Sequence, residues 1–140
     1  MPFYNSYKRA VFDGGIDLVN NTIKCALFPG TYSQNIDAED FWDDISSQEL
    51  AAGGGYTTGG EALTTKSTSQ DNVDDEGVFD ADPVVWTAAT FTARVYVLWK
   101  DTATPSTSNL ITAVNMGSDQ SPSAANFTIN WAAEGIFNAN

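Results

Sequence analysis

The stretch Phe91-Thr92-Ala93-Arg94-Val95-Tyr96-Val97-Leu98-Trp99-Lys100 decides the fold class of this chain. Phe91, Ala93, Val95, Val97 and Trp99 alternate with Thr92, Arg94, Tyr96, Leu98 and Lys100, the period of two that belongs to a strand. That period sets the first series against a core and leaves the second at least partly wet. Downstream, Leu110 to Met116 and Phe127 to Phe137 follow loops rich in Ser, Thr, Pro and Asn, as in an antiparallel β-domain. Upstream, Asp13-Gly14-Gly15 turns into a strand near Ile16 to Leu18, and Asn20-Asn21 into a strand from Thr22 to Phe28, closed by Pro29-Gly30. Further strands are expected from Ala62 to Ser69, where Thr favours extended backbone, over Val78 to Asp82, and from Val84.

The spacing predicts an all-β, mainly antiparallel fold, a sandwich or barrel of about seven or eight strands. One short helix is expected near residues 37–45, capped by Asp37, with an acidic first turn and with Phe41 and Ile45 sharing its inward face. Residues 1–13 hold aromatics and cations without a core alternation and read as an N-terminal arm. Residues 14–140 read as a single β-domain, long enough to bury a core without disulfides or metals.

Six basic residues stand against 18 acidic ones, a formal net charge of -12. Such a surface repels phosphate backbones, so no nucleic-acid partner is expected. Three of the six cations, Lys8, Arg9 and Lys24, fall in the first part of the chain, which suggests that the N-terminal segment contacts something the acidic remainder avoids. Met1-Pro2-Phe3-Tyr4-Asn5 contains no apolar run, so neither a signal peptide nor a membrane anchor is expected there. The sequons at Asn20-Asn21-Thr22 and Asn126-Phe127-Thr128 are then not expected to carry sugar.

Catalytic equipment is sparse. The chain has no histidine, so neither a near-neutral acid–base group nor the usual activator of a hydroxyl or thiol is available. Cys25, the only cysteine, shares a strand face with Ile23 and Leu27 and reads as a buried structural thiol. Gly60-Glu61-Ala62-Leu63-Thr64-Thr65-Lys66-Ser67 imitates a phosphate-binding loop, but Thr65 stands where the second glycine should be and a strand follows instead of a helix. In Asp71-Asn72-Val73-Asp74-Asp75-Glu76-Gly77 a calcium loop would need a closing glutamate where Pro83 stands, so an acidic hairpin turn is expected. No enzymatic activity, cofactor or metal is expected. Trp42, Trp86, Trp99 and Trp131 read as packing residues.

Phe12-Asp13-Gly14-Gly15-Ile16-Asp17-Leu18 running into Asn21-Thr22-Ile23-Lys24-Cys25-Ala26-Leu27, Tyr56-Thr57-Thr58-Gly59-Gly60-Glu61-Ala62-Leu63 after an acidic helix, Trp86, Ala89-Thr90-Phe91-Thr92-Ala93-Arg94, and Phe127-Thr128-Ile129-Asn130-Trp131 with Gly135-Ile136 together resemble small virion structural proteins of tailed bacteriophages. Within that group the chain looks most like a capsid decoration (cement) protein. The resemblance implies a homo-oligomer, a trimer, made in the host cytoplasm and carried on the outer surface of the virion, with the major capsid protein as partner. Phe3, Tyr4, Tyr7, Lys8 and Arg9 of the arm, with Tyr56 of the glycine-rich loop, are the expected capsid-binding residues. The alternative is a tail or head-fibre component, an adhesion module binding host-surface glycans through exposed aromatics.

Overall fold

The deciding stretch forms strand β6 (Ala93–Lys100), one residue pair shorter than its alternation suggested. The computed structural model describes residues 1–140. In it β6 is an inner strand of a four-stranded sheet ordered β2 (Glu61–Ala62), β1 (Ile23–Phe28), β6, β7 (Leu110–Gln120). A second sheet is ordered β3 (Ser67–Asp71), β4 (Glu76–Asp80), β9 (Phe137–Ala139), and β5 (Val84–Ala89) pairs with β8 (Ala125–Ile129). Every pairing is antiparallel, and the fold is all-β, as the alternation predicts, with nine strands in three sheets.

The four-stranded sheet is covered on both faces: in the second series of β6, Leu98 is buried, while Arg94, Tyr96 and Lys100 stay partly exposed as expected. Ile23, Cys25 and Leu27 of β1, Leu98 of β6 and Ile111 of β7 pack with Phe79, Val84, Trp86 and Ile129 from the two smaller sheets, forming a sandwich core. Ala26, Phe28, Val95, Val97, Trp99, Leu110 and Ala113 point the other way, onto Tyr4, Tyr32, Trp42 and Ile45. Register shifts between Ala93 and Val95 and between Leu98 and Trp99 add residues to β7. Such bulges twist a strand and re-aim its side chains. Ala93 accordingly joins the sandwich core while Val95 joins the opposite cluster. Arg94 fills the first shift, its guanidinium donating to Gly117 O at 3.0 Å and Asn115 Oδ1 at 3.3 Å.

Several local expectations are corrected. Residues 1–13 are not a free arm: helix α1 (Asn5–Phe12) occupies most of them, and the residues before it are tied to the sheet. Phe3 bridges to Thr112 of β7, Tyr4 N donates to Ile111 O at 3.1 Å, and Thr112 Oγ1 donates to Pro2 O at 3.0 Å. The reason is a helical stripe, Tyr4, Tyr7 and Ala10 at a spacing of three, all buried. Ile16 to Leu18 is no strand, because the Asp17 carboxylate accepts from Val19 N, Asn20 N and Asn20 Nδ2 and folds the chain into a turn. The expected helix shrinks to α2 (Trp42–Ile45), followed by a 3-10 turn at Ser46–Gln48. Its start is fixed by Asp44, whose carboxylate accepts from Asp40 N and Phe41 N at 2.8 and 3.0 Å, while Asp37 accepts from Asn5 Nδ2 instead of capping. The Thr-rich strand breaks into β2 and β3 at Thr65, which takes φ +53°.

Candidate protein-contact surface

Of the six residues expected to bind a partner, Tyr4, Tyr7 and Tyr56 are buried and Phe3 is half-buried. Tyr4 is fully buried, its hydroxyl 2.5 Å from that of Tyr32, which donates onward to Glu39 Oε2 at 2.9 Å. Tyr7 stacks on Phe3 at 5.1 Å and meets the edge of Phe137, and burial raises its phenol to about 12. Phe3 is half-buried against the same Phe137 ring. These aromatics attach the N-terminal segment to its own body and cannot fill pockets elsewhere without unpacking it.

Tyr56 is buried for a different reason. Gly60, at φ +78°, lies so close to β1 that a Cβ there would sit 1.9 Å from Cys25 O, so only glycine lets the loop pass at this depth. The loop thereby inserts Tyr56 beneath β1. Its hydroxyl accepts from Leu27 N at 3.0 Å and donates to Glu49 Oε1 at 2.6 Å, which also accepts from Gly59 N at 2.5 Å. Burial raises the Glu49 carboxyl, against the opposing pull of those two donors and of Lys24. Trp99 Nε1 donates to Gly59 O at 3.1 Å, and Lys24 lies over the Trp99 ring while paired with Asp101 at 2.7 Å. This polar network pins the loop to the sheet.

Lys8 and Arg9 do reach solvent, on the outer side of α1. Lys8 Nζ donates to Asn5 Oδ1 at 3.1 Å, and Arg9 makes a loose 3.8 Å pair with Asp13. Val11 and Phe12, three and four residues after Lys8, stand on the same stripe and are 49% and 91% exposed. Neither was visible as a contact residue in the sequence, although a helical reading of residues 5–12 would have placed both outward. The stripe is held firmly: Gly15 N donates to Ala10 O at 2.8 Å and Lys100 Nζ donates to Gly15 O at 2.8 Å, fixing the chain just after the helix.

A second exposed apolar residue, Val73, is 89% exposed at the tip of the β3–β4 hairpin. Asp71 Oδ1 accepts from Val73 N at 2.8 Å and Asp74 N at 3.3 Å, and Asp75 takes φ +55°, so the acidic run is a structured turn. Cys25 is fully buried and burial pushes its thiol well up, leaving no thiolate for chemistry. A cleft of about 520 Å³ runs along β3 and β4 and is walled by Ser67, Ser69, Asp71, Glu76, Asp80 and Glu134, hydroxyls and carboxylates. The exposed apolar surface is greatest at Phe12 of α1 and at Val73. No protein-family model, no curated protein and no solved structure matches this chain.

Proposed function

We propose that this chain is a structural protein of a phage virion, a decoration protein that binds the outer surface of the head and stabilises it. The observation that carries this reading is the outer stripe of α1, where Phe12 stands almost wholly in water beside Val11, Lys8 and Arg9 on a well-anchored helix. An exposed aromatic flanked by cations is the composition of an interface hot spot, and burying it against a protein recovers its hydration cost. A body whose thiol and tyrosines are spent on internal packing suits a protein that acts by shape. Binding to the assembled shell and not to loose subunits would convert contact energy into shell stability. The fibre reading has less behind it, since of the four tryptophans, the natural platforms for a sugar, Trp42, Trp86 and Trp99 are buried at 6%, 1% and 4% exposure and only Trp131 is partly exposed.

The test is to mix purified protein with capsids that lack it, then measure co-sedimentation and the temperature at which shells open. Saturable binding with a raised opening temperature is expected. No co-sedimentation at any concentration would overturn the proposal.

A further inference from the structure

The two most exposed large apolar side chains of the molecule stand on supports of opposite charge. Phe12 follows Lys8 and Arg9, the only adjacent pair of cations in the sequence. Val73 sits among Asp71, Asp74, Asp75 and Glu76, the last three forming the longest unbroken acidic run of the chain. Both side chains are almost fully in water, so within one copy they do not meet.

We propose that they meet between copies, the β3–β4 hairpin tip of one copy docking on the outer stripe of α1 of the next. This rests on reading that stripe as a protein-contact surface, and it gives the stripe a second copy of this chain as occupant in place of the shell. Charge complementarity selects that occupant. With a net charge of -12, most pairs of faces on two copies repel, and the Lys8–Arg9 stripe is where an acidic tip gains. The Asp71 carboxylate is engaged in its own turn, which also holds the Asp74 backbone, whereas the side-chain carboxylates of Asp74 and Asp75 make no hydrogen bond or ion pair within the chain and are free to meet Lys8 and Arg9. Val73 would cover Phe12 and Val11, removing the largest apolar exposures of both partners from water. Both parts are preformed, the tip by its hydrogen-bonded turn and the helix end by Gly15, so little ordering cost opposes docking. Donor and acceptor patches differ, so the contact is heterologous: each copy carries one of each, and the assembly closes as a ring or extends as a chain.

Phe12→Asp and Val73→Asp each disable one half of the contact, at positions exposed enough to leave the fold intact, which circular dichroism and melting would verify. In sedimentation experiments wild-type protein should self-associate, less tightly as salt rises, and each variant alone should associate at least tenfold more weakly. An equimolar mixture of the two variants should recover a one-to-one dimer, because the intact hairpin of the first fits the intact helix of the second. Arg9→Glu should likewise weaken association, and adding Asp74→Lys to the same chain should restore it. A wild-type protein that stays monomeric, or a mixture of variants that fails to pair while wild type associates, overturns the proposal. Capsid binding is read separately: monomeric protein that binds shells through Phe12 sinks this contact and keeps the decoration reading, whereas self-associating protein that ignores shells does the reverse.

Discussion

The two faces of the four-stranded sheet are covered by different materials. On one, strands β3, β4, β5, β8 and β9 form ladders of their own and meet the sheet through Phe79, Val84, Trp86 and Ile129. On the other, the cover is made of Tyr4, Tyr32, Trp42 and Ile45, from segments with almost no ladder to hold them. Four residues suffice there because three are aromatic, each burying on the order of 150–250 Å². Trp42 stacks on Trp99 at 4.0 Å, and Phe28 packs against Tyr32 at 4.7 Å and the edge of Trp42 at 6.0 Å. A strand layer is secured by many backbone bonds, whereas an aromatic layer depends on a few large side chains. Single substitutions should therefore be felt differently on the two sides.

The largest effect tests whether both covers exist. Val97→Asp and Leu98→Asp each bury an unpaired carboxylate, one under each cover, and each should cost several kcal/mol, on the order of the whole stability margin. Soluble Leu98→Asp protein with an unchanged melting temperature would mean that the sandwich face is open. Next comes the aromatic cover. Tyr4→Ala should cost about 3 kcal/mol in denaturant unfolding, and deleting Met1 to Arg9 should leave a chain that no longer melts cooperatively, because Phe28 and Tyr32 lose their lid. A truncated protein that melts like the full chain would restore the free arm that the sequence suggested.

Tyr56→Phe sharpens the comparison from the strand side. It leaves Leu27 N and Glu49 short of a partner and should cost about 2 kcal/mol. The same site carries a pH signature. Because burial raises the Glu49 carboxyl on folding, its contribution to stability is fullest below the ordinary glutamate value of about 4.3 and declines as pH rises through the raised value. Glu49→Gln should abolish that decline in a melting-temperature profile, and an unchanged profile would assign the decline to other groups. The smallest effect is expected at Cys25→Ala, about 1 kcal/mol for a small buried side chain, with assembly intact. Rapid labelling of native protein by a thiol reagent would contradict its burial.

What was legible in the sequence follows from these two materials. β1, β6, β7 and the acidic hairpin announce themselves by alternation and by turn residues, both local signals. The aromatic cover does not, since Tyr32 and Trp42 owe their burial to partners far along the chain. The helical spacing of Tyr4, Tyr7 and Ala10 was present, yet the segment lacks an N-terminal side-chain cap and hides among polar neighbours. Tyr56 was expected outside because it lies among glycines, and glycine-rich loops usually run over the surface. Here Gly60 serves close backbone approach, which only the tertiary neighbour Cys25 O reveals. The contact stripe was half legible: Lys8 and Arg9 from charge asymmetry, but not Val11 and Phe12, which needed the helix.

The Trp42–Trp99 pair has an optical consequence. Two indoles 4.0 Å apart couple their electronic transitions, so the native chain should carry a signed dichroism couplet in the far-ultraviolet, at the strong indole band, that isolated tryptophans lack. One ring rides on the sheet and the other on the aromatic cover. The couplet is thus a built-in light gauge of whether that cover is seated, readable in solution without any added dye.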